Sequence, residues 1–318
     1  MSHIPPRFLF AILACTLGLP LAPAQTATAP SDWQPPVDKP TLTLWPAGAP
    51  GPQTAAGPEH DTTKPTDNLI AGQPLIRLGD VAVPTITLYA APSGVNQNSG
   101  AAVVVFPGGG YNILAIDLEG TEVCTWLNSI GVNCVLLKYR VPGTGPYPKS
   151  PAALQDAQRA MGMVRQHATD WHIDPQRIGV LGFSAGGHLA AALSTHFDQR
   201  LYPVVDAADQ LSCRPDFAII IYPGYLSIAE KDFAFNPDIP VTASVPPTFL
   251  VQAEDDPVHV ENVLYYFLAL KKAGVPAELH VYTKGGHGYG LRPTSSPVTL
   301  WPELAAKWLD TIHMRIPE

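Results

Sequence analysis

Ile178-Gly179-Val180-Leu181-Gly182-Phe183-Ser184-Ala185-Gly186-Gly187-His188-Leu189-Ala190-Ala191 is the stretch on which the reading of this chain turns. It runs as an apolar strand, a sharp turn carrying one serine, and a helix of small residues. Residues 182–186 fit G-x-S-x-G, the pattern of a serine held on a strained strand-to-helix turn with its hydroxyl above a sheet. The requirement is steric. Such a turn leaves no room for bulky neighbours, and Gly182 and Gly186 clear that room. Ala185 then starts a helix whose N-terminal amides face any negative charge that develops beside the serine. A five-residue pattern recurs by chance, so the strand before it and the helix after it carry the weight.

Working outward, residues 101–106 form a continuous apolar run, as expected of a strand buried on both faces of a mainly parallel sheet. It ends in Pro107-Gly108-Gly109-Gly110-Tyr111. A helix is expected over 117–130, closed by Gly131, then a strand over 133–140 and a helix over 151–167 opened by Pro151. Further strands are expected at 216–222, 248–253 and 277–282, with helices at 258–273 and 301–314. Residues 83–89 alternate like an edge strand. Residues 223–246 show no clear period and read as a loop or small cap. Strand and helix alternate throughout, which predicts an α/β fold with an open, mostly parallel, doubly wound sheet. Ligands bind such sheets at the carboxyl ends of the strands, where every motif below falls.

With 46% hydrophobic and 14% charged residues, the 318-residue chain has the material for one large core despite 35 Pro and 26 Gly. A net charge of −8 argues against nucleic acid or an anionic membrane surface as the main partner. Residues 1–24 read as a secretory leader. Arg7 precedes an apolar run that Pro20 interrupts, and Ala22-Pro23-Ala24 offers an A-x-A cleavage site. The run is short for a membrane anchor, and no later stretch is long and apolar enough to span a bilayer. The expectation is a secreted or periplasmic protein with no membrane insertion once the leader is removed. Residues 25–74 are expected as an N-terminal arm on the surface, with an extended piece at 41–46, and residues 75–318 as the domain that carries the chemistry. Cys124, Cys134 and Cys213 remain after leader removal. Buried packing is their expected use, and a disulfide between Cys124 and Cys134 stays open. No Cys/His spacing suggests zinc, and neither metal nor cofactor is expected.

A serine hydroxyl needs a base, and the base needs an orienting carboxylate. On a sheet of this kind they follow in the order serine, acid, histidine. The strand at 249–253 runs into Glu254-Asp255-Asp256-Pro257, and the strand at 278–282 runs into Lys284-Gly285-Gly286-His287-Gly288-Tyr289-Gly290. Asp256 is the expected acid, with Asp255 as the alternative, and one of the two is expected to cap the helix that follows. His287, between glycines that let its loop swing tightly, is the expected base. His188 follows the turn along its helix and reads as structural, while His259 and His280 read as surface or packing residues. The amides of Gly109, Gly110 and Ala185 are the expected oxyanion donors. A phosphate loop is the alternative for the glycines, but G-x-x-x-x-G-K-[ST] is absent.

Pro107-Gly108-Gly109-Gly110-Tyr111, Leu137-Lys138-Tyr139-Arg140, residues 182–190 and Gly285-Gly286-His287-Gly288 together resemble an α/β-hydrolase family of carbohydrate esterases. Its members include acetylxylan esterase-like and feruloyl esterase-like enzymes, some of them labelled xylanase. The likeness covers roughly residues 45–312, and it departs at Pro107, where many relatives carry a histidine. The resemblance implies a serine carboxylesterase acting on small acyl esters, chiefly acetyl, of plant-polysaccharide sugars. An acylated carbohydrate is then the expected partner. Tyr111, Tyr225 and Tyr289 are candidates to stack on a sugar ring, with ordinary loop packing as the alternative. A glycosidase would need two carboxyl groups across a cleft. Asp117, Glu119 and Glu122 lie close in sequence, but at a helix start they fit its dipole better. A non-catalytic glycan-binding module on the same scaffold is the third class.

Overall fold

The apolar runs become the parallel centre of an eight-stranded sheet. A computed structural model describes Met1, His3 and residues 33–92, 98–143 and 150–315. Met1 and His3 apart, the leader expected over 1–24 lies outside the described residues, as does the start of the arm. In chain order the strands are Thr41–Thr43 (β1), Thr85–Tyr89 (β2), Ala102–Phe106 (β3), Asn133–Lys138 (β4), Ile178–Phe183 (β5), Ala218–Ile221 (β6), Thr248–Ala253 (β7) and Ala277–Tyr282 (β8). Their spatial order is β1-β2-β4-β3-β5-β6-β7-β8. β1 and β2 pair antiparallel, as do β2 and β4, and all other neighbours are parallel. Every residue of β3 to β7 is buried, which is why apolar residues follow one another along these strands instead of alternating with polar ones.

The helices are Glu122–Ser129 (α1), Pro151–Gln166 (α2), Ala185–Thr195 (α3), Glu261–Ala273 (α4) and Trp301–Thr311 (α5). From β3 the chain steps one way to β4 and then back across β3 to β5. Right-handed crossovers therefore put α1 and α2 on opposite faces of the sheet. α5 joins α1 through an edge-on contact of Trp126 with Trp301, ring centroids 5.3 Å apart. The reversal at β3 opens a crevice at the carboxyl ends of β3 and β5, where the glycine turn and the Ser184 turn lie side by side. Among the described residues no helix is long and apolar enough to cross a membrane.

Four details add to the sequence expectation or differ from it. β2 is not an edge strand, because the arm supplies β1 on its outer side. The arm is anchored there by burial of Leu44 and Trp45 and by the Trp45 indole, whose Nε1–H donates to Asp156 Oδ1 at 2.7 Å. The helix expected over 117–130 begins as a one-turn π-helix, Asp117–Thr121, before α1. Cys124 and Cys134 form a disulfide, since α1 lies directly on β4 with Cα atoms 5.1 Å apart, whereas Cys213 is the buried free thiol. Residues 223–246 contain a small hairpin, Ser227–Ile228 against Ala234–Phe235.

Asp156 is fully buried and faces Arg140, whose Nη2 lies 2.9 Å from its Oδ1 and whose own amide donates to its Oδ2, also at 2.9 Å. Removing one partner of a buried pair leaves the other charge uncompensated. Asp156→Ala is therefore expected to lower unfolding stability by about 3–5 kcal/mol in urea titrations. A loss below about 1 kcal/mol, the range of an exposed pair, would contradict this assignment.

Candidate active site

One residue separates the end of β5 from the start of α3, and that residue is Ser184. Its backbone stands at φ 50, ψ −116, outside the regions that L-residues normally occupy. Three hydrogen bonds hold it. Its amide donates to the Ile221 carbonyl at 3.1 Å, and its carbonyl accepts the His188 and Gly224 amides at 3.1 and 3.2 Å. A Cβ on Gly186 would strike the Phe106 carbonyl oxygen, so only glycine lets α3 start this close to the end of β3. Ser184 Oγ thereby projects into the crevice, half-buried.

His287 arrives from the loop after β8, and its Nε2 lies 2.8 Å from Ser184 Oγ. Its Nδ1 lies 2.8 Å from Asp256 Oδ2. A buried carboxylate there accepts, which assigns the ring proton to Nδ1 and leaves the Nε2 lone pair for the serine hydroxyl. Asp256 is fixed in turn. Its Oδ1 accepts the Val258 amide at 2.7 Å, and its Oδ2 accepts from Gln252 Nε2 at 3.2 Å. Asp255 does something else: its Oδ1 accepts the amides of Gly285 and Gly286 at 2.9 and 2.8 Å, clamping the root of the histidine loop. The Gly286 amide foremost holds the Asp255 carboxyl below the usual carboxylate range. Neither aspartate is the N-cap of α4, which is Val260.

The glycine turn follows β3. Gly109 has φ 133, and a Cβ there would strike the Ile113 carbonyl oxygen, so this position admits only glycine. The turn spends its carbonyls inward. Gly109 O accepts the Asn112 and Ile113 amides at 2.9 and 3.2 Å, and Gly108 O accepts the Ala115 amide at 3.0 Å. A Cβ on Gly108 would come within 2.9 Å of Ser184 Cβ, so the turn passes directly against the serine. Among the described residues, the amides of Gly109, Gly110 and Ala185 donate to no protein acceptor. The Gly108 amide is spoken for: it donates to the buried Glu119 Oε2 at 2.6 Å.

The aromatic candidates separate. Tyr111 and Tyr289 are buried, 4% and 5% exposed, so neither offers an open ring face for stacking on a sugar. Tyr111 Oη lies 2.8 Å from His188 Nδ1, and its ring is nearly parallel to that of Tyr225, 6.2 Å away. Tyr289 packs edge-on against Tyr222. Only Tyr225 keeps a half-buried ring. His188 is buried beside Tyr111, matching its structural reading. Among the described residues no cluster of three or more His, Cys, Asp or Glu could hold a metal ion. Behind the site stand Gln252 and Tyr222, which the sequence did not single out, and Glu119, expected to favour a helix dipole but found buried against the glycine turn. Each had a faint signal, a polar group inside or at the end of an apolar strand or at the start of a helix, but nothing local says which way such a group faces.

Residues 103–241 match a family model described as the alpha/beta hydrolase fold. An acetyl ester-xyloside bifunctional hydrolase from Caldicellulosiruptor lactoaceticus has a crystal structure that is 36% identical in sequence. The match covers 87% of this chain and 97% of that one, with a TM-score of 0.66. The chain belongs to the α/β-hydrolase family. Among its relatives, an acetylxylan esterase from Xylanibacter ruminicola is 32% identical over 207 residues, 60% of this chain and 42% of that protein. An endo-1,4-beta-xylanase B from Butyrivibrio fibrisolvens is 29% identical over 224 residues, 65% of this chain and 34% of that protein. This α/β hydrolase thus spans less than half the length of either.

The two aspartates of this α/β hydrolase have different contacts and should behave differently when changed. Asp256→Asn removes the acceptor that sets the His287 tautomer, and losses on the order of 10⁴-fold accompany that change in a comparable triad. The rate of Ser184 labelling by a fluorophosphonate is expected to fall by several orders of magnitude in Asp256→Asn. In Asp255→Asn it should fall by about tenfold or less, since that residue only clamps the loop. Equal losses in the two variants would refute the division of labour.

Proposed function

We propose that the protein is a serine carboxylesterase that removes small acyl groups, chiefly acetyl, from sugars of plant polysaccharide. One observation carries the mechanism: Asp256, His287 and Ser184 form an unbroken chain of two 2.8 Å contacts beside the glycine turn. Ser184 Oγ attacks the ester carbonyl while His287 Nε2 takes its proton, and Asp256 stabilises the imidazolium that forms. The carbonyl oxygen becomes an oxyanion between the amides of Gly109, Gly110 and Ala185, at the N-terminus of α3. One such donor is worth about 10²–10³ in rate. The imidazolium returns the proton to the departing sugar hydroxyl, leaving an acyl-serine. Water, deprotonated by His287, then releases the carboxylic acid and restores Ser184.

The acyl and sugar assignments rest on the relatives, whose names include an acetylxylan esterase and an acetyl ester-xyloside hydrolase. The leader read at residues 1–24 supports an exported enzyme, since polymeric glycans are met outside the cytoplasm. Feruloyl or general carboxylesterase activity would use the same chemistry with a different acyl group. Glycoside cleavage is a second reading because one relative is named a xylanase and another bifunctional. The acidic residues weighed for it have other partners here. Asp117 and Glu122 both pair with Arg292, at 3.4 and 2.7 Å, and Glu119 is buried.

Wild type and Ser184→Ala tested on acetylated xylan, acetylated monosaccharides, feruloyl esters and deacetylated xylan would decide among these. Acetate release is expected from wild type and is expected to vanish in Ser184→Ala, as should p-nitrophenyl acetate hydrolysis. Ester hydrolysis surviving in Ser184→Ala would sink the mechanism. Reducing-sugar release from deacetylated xylan that survives that substitution would favour the glycosidase reading.

A further inference from the structure

Glu119 is a buried titratable group that the acyl-transfer scheme leaves unused. It lies in the π-turn between the glycine turn and α1, with 4% of its surface exposed. Its Oε2 accepts the Gly108 amide at 2.6 Å, and its Oε1 accepts the Tyr222 hydroxyl at 2.8 Å. Tyr222 Oη in turn accepts the Gly290 amide at 3.0 Å. The Tyr222 ring meets the His287 imidazole edge-on, centroids 4.9 Å apart. A single carboxyl group thus ties the loop that presents Gly109 and Gly110 to the loop that presents His287.

The donor inventory says which form this carboxyl takes. The Gly108 amide can only donate, and Tyr222, already accepting from Gly290, has its one proton left to give. A carboxylate satisfies both. A protonated acid would bring a second hydrogen to an arrangement that needs acceptors, and would strand one of them. Burial opposes the charge and raises the carboxyl above its ordinary range, with a smaller push from Asp117 on the same turn. The Tyr222 and Gly108 hydrogen bonds and the attraction of His287 pull it back. The other titratable groups packed about this cluster are Tyr139, whose hydroxyl donates to the Pro107 carbonyl at 2.5 Å, and Tyr289. Arg292 lies beyond Asp117, at 3.4 Å from that residue. Among the described residues no lysine or arginine forms an ion pair with Glu119, and His287 is the cation-forming group that acts on it.

We infer that Glu119 is a positioning residue for acyl transfer: its carboxylate fixes the oxyanion turn against Ser184 and favours the imidazolium that His287 becomes on taking the serine proton. The inference rests on the serine-esterase reading above. No bond to Glu119 forms or breaks, and it keeps its charge through the cycle. It acts through backbone geometry on one side and through Tyr222 and the intervening space on the other.

The test is steady-state kinetics on p-nitrophenyl acetate with the full chain, comparing wild type, Glu119→Gln and Tyr222→Phe. Glu119→Gln preserves shape and an acceptor for Gly108 but removes the charge. Its kcat is expected to fall on the order of tenfold with KM within about twofold, an effect equal to about one pKa unit of lost charge stabilisation. The acid limb of its kcat/KM profile should move to lower pH, because a base without a neighbouring anion is harder to protonate. A merely structural role would leave that limb in place. Tyr222→Phe keeps the ring against His287 and cuts the link between the loops, so kcat is again expected to fall with KM held. A Glu119→Gln variant with wild-type kcat and an unmoved acid limb overturns the inference. If that variant does not fold, Tyr222→Phe decides, and wild-type kcat there overturns it. The two layers fail separately: activity retained in Ser184→Ala removes the esterase reading, whereas a dead Ser184→Ala beside a normal Glu119→Gln removes only this inference.

Discussion

The backbone of Ser184 stands in a conformation that costs on the order of 1–3 kcal/mol, and the crevice is arranged around what keeps it there. The turn is clamped from β6, through the Ile221 carbonyl, and from the start of α3, through the His188 amide. It sits tight against β3 because Gly186 meets the Phe106 carbonyl without a Cβ between them. That close approach brings the glycine turn after β3 within reach of the serine. The proposed oxyanion hole, drawn from two different loops, requires those loops to follow adjacent parallel strands, and β3 and β5 are adjacent. Strain at one residue is thus supported by the order of strands in the whole sheet.

Buried charge has two separate uses in this molecule. Around Asp156, Arg140 and the Trp45 indole hydrogen-bond a single carboxylate, and Arg159 lies over the Trp45 ring at 5.8 Å. This cluster stitches the arm to the domain, 111 residues apart in sequence. A buried ion pair contributes little net stability over an apolar replacement, but it penalises any packing that leaves a partner unmatched. Around Glu119, by contrast, no lysine or arginine among the described residues forms an ion pair, and both oxygens are taken by donors on different loops. An anion left without a resident counter-charge is costly in a static structure. It becomes useful where a positive charge appears transiently, as it would on His287 during proton transfer.

Much of this is legible in the amino-acid sequence. The consecutive apolar residues at 102–106, 134–137, 178–183 and 249–251 announce strands covered on both faces, because such strands lose the alternation of period two. The order of Ser184, Asp256 and His287, each just past a strand, follows from the rule that loops on one side of a parallel sheet share one edge. What stayed hidden was lateral. Nothing in residues 41–45 says that they add a strand outside β2, since edge pairing is a matter of backbone hydrogen bonds that carry no side-chain signature. Nothing in a lone Glu119 says that it faces inward, because the π-turn at Asp117–Thr121 shifts its direction away from the helical period.

The amino-acid sequence by itself therefore determined the class of fold, the turn at Ser184 and the identity of the loops that meet it. Each of these follows from local periodicity, glycine placement and chain order. Tertiary structure alone decided that Asp256 and not Asp255 faces the His287 imidazole, that Tyr111 and Tyr289 are buried as wall, and that Cys124 bonds to Cys134. Adjacent residues of one loop differ only in the direction of their side chains. That direction is set by whatever packs against the loop from elsewhere in the chain.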